Sequence, residues 1–268
     1  MSNLKTIKTF RDLLAFLTII PVGKTDDFVI TSAEAIYLFP LIGGFIGLLG
    51  ALYFHISKFL INSILELVNT NLFSIPIEFL NGFFPAIMIL AFLLVLTGLQ
   101  HFDGLVDLGN AIGAGNLKDR RTMAHAWVVT YKGAILAIFI EVLAVLGFFL
   151  MNAPMAFGVI IASEVAAKLA MVTIVWIGKP THTGLGSLFL ETAKSKKNFI
   201  AYFLAILIIY PFFGLLAVFV VIFTILIGLI MEKVAITIFG GVSGDMIGAT
   251  NEIARAIILV FIACVLIL

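Results

Sequence analysis

Charge is scarce in this chain. Asp, Glu, Lys and Arg make up 12% of its 268 residues, about half the share usual in a soluble domain. The net charge of +1 identifies no charged partner, and nothing points to nucleic acid. Cysteine is nearly absent: Cys264 alone, in the last apolar run, leaves no intramolecular disulfide and no thiolate metal cluster, and it reads as plain helix surface. Low-complexity linkers and internal repeats are missing too. What remains is hydrocarbon, with 62% hydrophobic residues and a mean hydropathy of +1.23. Such a chain exposes apolar surface in water whatever its fold, and lipid removes that penalty. A bilayer admits only helices or a closed barrel, because unpaired backbone groups are costly in hydrocarbon. The apolar runs here are continuous, unlike the ten-residue alternating segments of a barrel. The sequence therefore predicts an all-α, polytopic integral membrane bundle, with residues 1–268 as a single membrane-embedded domain.

A span needs about 20 apolar residues. Runs of that kind fall near 35–56, 83–100, 134–152, 155–177, 199–214, 215–231 and 246–268. The second is short and is expected to continue into the residues beyond it. The fifth and sixth come from one stretch split near Pro211 and Gly214, so the count is seven, or six without that split. Region 57–82, interrupted by Lys58, Asn62, Glu66 and Pro76, reads as amphipathic helix and loop at the interface. Lys5, Lys8 and Arg11 ahead of an apolar stretch resemble the opening of a signal peptide, but Pro21–Lys24 offers no small-x-small cleavage site. The segment is therefore assigned to the mature protein. Lysine and arginine concentrate before the first span, between the second and third, and between the fourth and fifth. By the positive-inside rule these loops face the cytoplasm of a multi-pass protein in the cell membrane, and the chemistry is expected there.

Three polar stretches carry that chemistry. In 98–116, Asp103 and Asp107 are four residues apart, so on a helix both carboxylates leave one face about one turn apart. At the end of a span their repulsion is strong unless a cation lies between them. Magnesium suits the pair, since it takes one or two carboxylates and leaves room for substrate phosphates. His101 and Asn110 are close in sequence. Arg120 and Arg121 either meet a pyrophosphate or serve only as positive-inside markers. In 178–191, Lys179, His182, Gly184 and Gly186 form a glycine-containing loop of the sort that binds anions through backbone amides, or an ordinary loop. In 240–255, Asp245 and Glu252 are seven apart and share a helix face, unless Asp245 is an N-cap. Within the spans, Glu164 and Lys168 are spaced to pair with each other, while Glu141 either faces the bundle interior or is protonated.

The core Asp103-Gly104-Leu105-Val106-Asp107 resembles the motif of the cobalamin (5'-phosphate) synthase family, the adenosylcobinamide-GDP ribazoletransferases. Phe16–Val22, Phe39–Gly43, Gly184–Gly186 and Gly240–Glu252 are similar to that family's other blocks, in the same order. One departure is that an arginine expected near the charged site of the fourth span is Glu164 or Lys168 here. The resemblance implies a magnesium-dependent joining of adenosylcobinamide-GDP to α-ribazole, or to its 5'-phosphate, with release of GMP. It further implies Asp103 and Asp107 as metal ligands, with Asp107, Asp245 or His101 taking the proton of the attacking hydroxyl. Arg120 or Arg121 would steady the guanylate, and Lys179, His182, Gly184, Gly186, Asn110 and Glu252 complete the candidate substrate contacts. The sequence leaves open a homo-oligomer, or association with other enzymes of cobalamin assembly.

Two rival families share part of this pattern. A CDP-alcohol phosphotransferase also begins with Asp-Gly and uses magnesium, but it requires Ala-Arg where this chain has Asp107-Leu108, and two further aspartates where this chain has only Asp119. A secondary transporter would explain acids within spans and glycine-broken helices, yet here the polar residues gather in loops and the two halves do not repeat.

Overall fold

The computed structural model describes residues 2–71, 76–124, 126, 128–151 and 154–267. Among them are twelve α-helices: α1 Ser2–Leu17, α2 Phe28–Glu34, α3 Phe39–Asn71, α4 Ile77–Leu96, α5 Gln100–Ile112, α6 Leu117–Ala124, α7 Tyr131–Leu150, α8 Ala156–Ile177, α9 Leu185–Thr192, α10 Phe199–Phe213, α11 Leu216–Phe239 and α12 Gly244–Ile267. Seven of these (α3, α4, α7, α8, α10, α11 and α12) are long and apolar enough to cross a bilayer. The outer surface agrees: Ile138, Phe139 and Phe203 are 63%, 63% and 66% exposed, a surface that only hydrocarbon can cover.

The bundle is built around α8, which is buried along nearly its whole length. Close approach rather than bulk holds α3 against it. A methyl group on Gly43 would fall 2.6 Å from the Glu164 carbonyl oxygen, and one on Gly47 would fall 2.7 Å from the Ile161 Cα. This small-xxx-small spacing lets two backbones meet where lipid supplies no hydrophobic drive.

Two boundaries differ from expectation. Residues 57–71 are not a separate interfacial segment but the last turns of α3, which runs unbroken for 33 residues. The polar residues that suggest an interruption satisfy one another along the helix side. Asn62 donates to Glu66 at 2.8 Å and accepts from Asn81 of α4 at 2.9 Å. The second span does not run on into the acidic motif either. It stops at Leu96, and Gly98 and Leu99 both take positive φ (66° and 60°). Leucine rarely adopts that conformation, so the reversal that starts α5 is imposed by its surroundings. The split of the 199–231 stretch falls at Gly214, with φ 54°, while Pro211 remains inside α10.

Alternation of the seven spans brings the loops before α3 and those joining α4–α7, α8–α10 and α11–α12 to one end. Their contacts are direct. The Ile19 amide donates to the Leu96 carbonyl at 2.9 Å, Val242 to Lys179 at 2.8 Å, and Thr181 to Val242 at 3.1 Å.

Candidate active site

The site starts where α5 crosses α12. A methyl on Gly104 would lie 2.4 Å from the Asp245 carbonyl oxygen, and one on Gly248 would lie 3.2 Å from the His101 Cα. The glycine inside the Asp-Gly-x-x-Asp motif is thus the seat on which the first turn of α12 rests. This crossing brings Asp245 beside the helix-spaced Asp103 and Asp107. Asp103 is exposed, while Asp107 and Asp245 are half-buried. The Asp107 carboxyl is pushed up to about 7, first by burial and then by the neighbouring charges of Asp245 and Asp103. A hydrogen bond from Asn110 offsets part of this. Asp245 is not the N-cap of α12. Ser243 takes that place, its hydroxyl accepting from the Met246 amide at 3.3 Å and donating to Asp245 Oδ2 at 3.3 Å.

Among the described residues no group of three or more His, Cys, Asp and Glu side chains is close enough to hold a metal ion by itself. The helix crossing instead leaves two carboxylates on one helix face, with Asp245 as a charged neighbour of Asp107. Their mutual repulsion, which adds to burial in raising Asp107, is a condition a hard cation relieves. The pair Asp103 and Asp107 matches the one or two carboxylates that magnesium takes when waters and phosphate oxygens complete its sphere.

Behind this rim lies a buried ionic network. The Arg255 guanidinium donates to Glu164 and Glu252. Lys168 Nζ donates to Asn251 at 2.7 Å and to Glu164 at 3.4 Å, and Asn251 donates to Glu252 at 3.0 Å. Glu141 is also buried, with Glu252 and Arg255 as its charged neighbours, so it faces the bundle interior. The guanidinium beside Glu164 of the fourth span comes from the seventh. His101 lies between network and rim, with Nδ1 3.8 Å from Glu252 Oε1. Burial, reinforced by the charges of Lys168 and Arg255, holds His101 well below the usual histidine range. It is therefore neutral.

A cavity of about 290 Å³ opens at the rim. Phe16, Phe39 and Phe189 wall one part, and Gln100, His101, His182 and Asp245 edge another. Phe16 and Phe189 stack with ring centroids 4.9 Å apart. The placement of Phe16 depends on α1, which buried Asp12 pins by accepting from the Thr25 amide at 3.1 Å and the Thr25 hydroxyl at 2.8 Å. Gly186 belongs to the same wall, its Cα so close to Gly244 that a methyl would sit 2.6 Å from the Gly244 nitrogen. A second cleft, of about 420 Å³, is bordered by Asn110, Gly115, Asp119, Thr130 and Lys132 beyond the end of α5.

His101, His182, Gly186 and Asp245 thus line one cavity, and Asp103 and Asp107 lie next to it through Asp245. Other candidates have prior engagements. Arg120 donates to the carbonyls of Ala114 and Thr237 at 3.1 Å, and Arg121 makes two bonds to the Phe239 carbonyl. Both arginines thereby tie α6 to the C-terminal end of α11, where cations suit the helix dipole. Asn110 accepts from the Thr130 amide and hydroxyl and donates to Val128, bracing the start of α7. Lys179 and Gly184 are exposed on the loop next to the cavity, and Gly184 N–H donates to the Ser187 hydroxyl at 3.0 Å. Glu252 requires a correction. It is 1% exposed and bonded to Arg255 and Asn251, so it braces the site from beneath and offers no surface for substrate. Sequence reasoning passed over Arg255, Lys132 and the three phenylalanines as site residues.

A family model described as cobalamin-5-phosphate synthase matches residues 9–263. The chain belongs to that family. Curated relatives named adenosylcobinamide-GDP ribazoletransferase include one from Methanococcoides burtonii, 27% identical over 260 residues that cover 93% of this chain and 89% of the relative. Another, from Haloquadratum walsbyi, is 29% identical over 261 residues, covering 93% and 94%. A third, from Clostridium kluyveri, is 34% identical over 182 residues, covering 65% and 70%. No solved structure matches. Membership in the cobalamin-5-phosphate synthase family sets aside both the CDP-alcohol phosphotransferase and the transporter readings. All of the rim residues fall within the matched range.

Proposed function

We propose that the protein carries out the last joining step of cobalamin assembly. It would transfer the adenosylcobinamide-phosphate group of adenosylcobinamide-GDP to α-ribazole or its 5'-phosphate, giving adenosylcobalamin or its phosphate and GMP. The observation that carries this reading is Asp245 on the lining of a cavity and beside the helix-spaced Asp103 and Asp107, in a chain whose relatives bear that enzyme's name.

In the reaction, the ribose 3'-oxygen of the acceptor forms a bond to the phosphorus that bears the cobinamide. The phosphoanhydride bond to the guanylate breaks, and GMP leaves with that electron pair. Asp103 and Asp107 would hold magnesium, which supplies Lewis acidity and positions the diphosphate. Asp245 lines the cavity and neighbours the aspartate pair, which makes it the favoured group to receive the hydroxyl proton. His101 is buried on the cavity wall, where burial and the charges of Lys168 and Arg255 disfavour its protonated form, so it is better suited to orient the hydroxyl than to take its proton. The lysine- and arginine-bearing end of the bundle would face the cytoplasm, with the protein in the cell membrane.

The test is GMP release by the purified, detergent-solubilised protein given both substrates. Stoichiometric GMP and cobalamin with magnesium chloride, and none with EDTA, is the expected result. Movement of substrate across proteoliposomes with no covalent product would refute the proposal.

A further inference from the structure

We infer that the aromatic-walled cavity seats the base of the acceptor, a methyl-substituted fused bicyclic heterocycle carried on ribose, as in α-ribazole. The inference rests on the ribazole-transfer reading for the identity of the two substrates and adds which of them this cavity receives.

Size is the first argument. About 290 Å³ lies at the lower edge of small-molecule pockets. It accommodates a bicyclic base and excludes a corrin macrocycle with its amide side chains. The corrinoid must therefore remain outside, along the open rim.

Chemistry is the second. Two planar bases take part in the reaction, the dimethylated benzimidazole of the acceptor and the guanine of the donor. Phe16, Phe39 and Phe189 form a cluster with centroids 4.9–6.4 Å apart, and Met171 and Val175 extend the apolar wall. Phenyl faces stack on either base. Guanine, however, carries several donors and acceptors along its edges, and burying these against phenyl, thioether and aliphatic groups leaves them unpaired at a cost of about 1–3 kcal/mol each. A methylated benzimidazole presents hydrocarbon to the same wall at no such cost.

Direction is the third. The polar groups of the cavity, Gln100, His101, His182 and Asp245, form the set available to ribose hydroxyls. The Asp245 backbone abuts Gly104 between Asp103 and Asp107, and the Asp245 charge is felt at Asp107. A base among the phenylalanines therefore points its sugar toward the aspartates.

Two variants of the full-length protein test the assignment. Leu185→Trp places a bulky ring at the cavity edge from a position 56% exposed, where folding is not at stake. Phe16→Leu removes one phenyl face from a half-buried position. Both should raise the KM for α-ribazole about tenfold or more, the scale of a lost aromatic contact, and leave the KM for adenosylcobinamide-GDP within about twofold. Equilibrium dialysis of radiolabelled α-ribazole without donor should show binding that Leu185→Trp removes, that free dimethylbenzimidazole displaces, and that GMP leaves intact. A raised donor KM with an unchanged acceptor KM, displacement by GMP, or absence of binding in the parent protein would each overturn the inference. If joining itself fails while dialysis still shows competable binding, the cavity assignment stands and only the proposed reaction falls.

Discussion

Replacing Gly104 by alanine adds one methyl group at the point where α5 meets α12. That methyl would lie 2.4 Å from the Asp245 carbonyl oxygen and 3.0 Å from two further backbone atoms of Asp245, whereas ordinary contact begins at 3.4 Å. The neighbours are main chain, so no side chain can swing away. The helices must separate by about 1 Å, and Asp245 moves away from Asp103 and Asp107 by a similar amount. Overpacking of this kind costs about 1–3 kcal/mol, enough to lower the thermal midpoint by a few degrees without preventing folding. A displacement of about 1 Å between reacting groups costs about 100-fold in rate. The assay is GMP release at saturating substrates, with thermal unfolding in the same detergent. Gly44→Ala is the control. Its methyl would lie 3.5 Å from Ile208 Cδ1, an ordinary contact, and its turnover should stay within about twofold of the parent. Turnover close to the parent in Gly104→Ala would show that the aspartate cluster does not depend on this crossing, and the geometric account of the site would fall.

The same structure sets three further outcomes. Asp107 is raised from an ordinary value of 3.8 to about 7, so in EDTA the unfolded chain loses this proton first, and folded stability falls as pH rises between about 4 and 7. Asp107→Asn removes that decline. Because the side chain is half-exposed and screened by water, the variant should exceed the parent by only about 1 kcal/mol at pH 8 and match it near pH 4, as thermal midpoints will show. A less stable variant at pH 8 would contradict the crowding of charges. Arg255→Gln leaves Glu164 and Glu252 buried without their guanidinium, which should cost about 3–5 kcal/mol, and an unchanged midpoint would discount the network. Lys194 Nζ donates to the carbonyls of Val175, Trp176 and Gly178 at 2.6–3.2 Å, closing the end of α8. Lys194→Met should therefore lower the midpoint by the equivalent of about 1 kcal/mol, and no change would make the cap incidental.

The spans were legible because apolar runs of bilayer length have few alternative structures. The spacing of Asp103 and Asp107 was legible because a helix puts residues four apart on one face. The pairing of Glu164 with Lys168 followed for the same reason. What was not legible depends on distant partners. Asn62 and Glu66 read as an interruption because their mutual bond, and the bond from Asn81, exist only once α3 and α4 lie side by side. Glu252 shares its helix with Asp245 but faces Arg255 and Glu164, and Glu164 is 91 residues away from Arg255. The cavity phenylalanines lie at 16, 39 and 189 in a chain with 26 phenylalanines, and no local pattern separates them from lipid-facing ones. The helix break at Leu99 could not be foreseen either, since leucine has no preference for the left-handed region it occupies.

The most direct measurement replaces Asp103 and Asp107 by asparagine one at a time and follows cobalamin formation from adenosylcobinamide-GDP and α-ribazole. Each variant should lose at least about 100-fold in turnover, the scale of removing a principal electrostatic stabiliser, while eluting and melting as a folded protein. Near-parental turnover in both would mean that the paired carboxylates are not where the diphosphate is held.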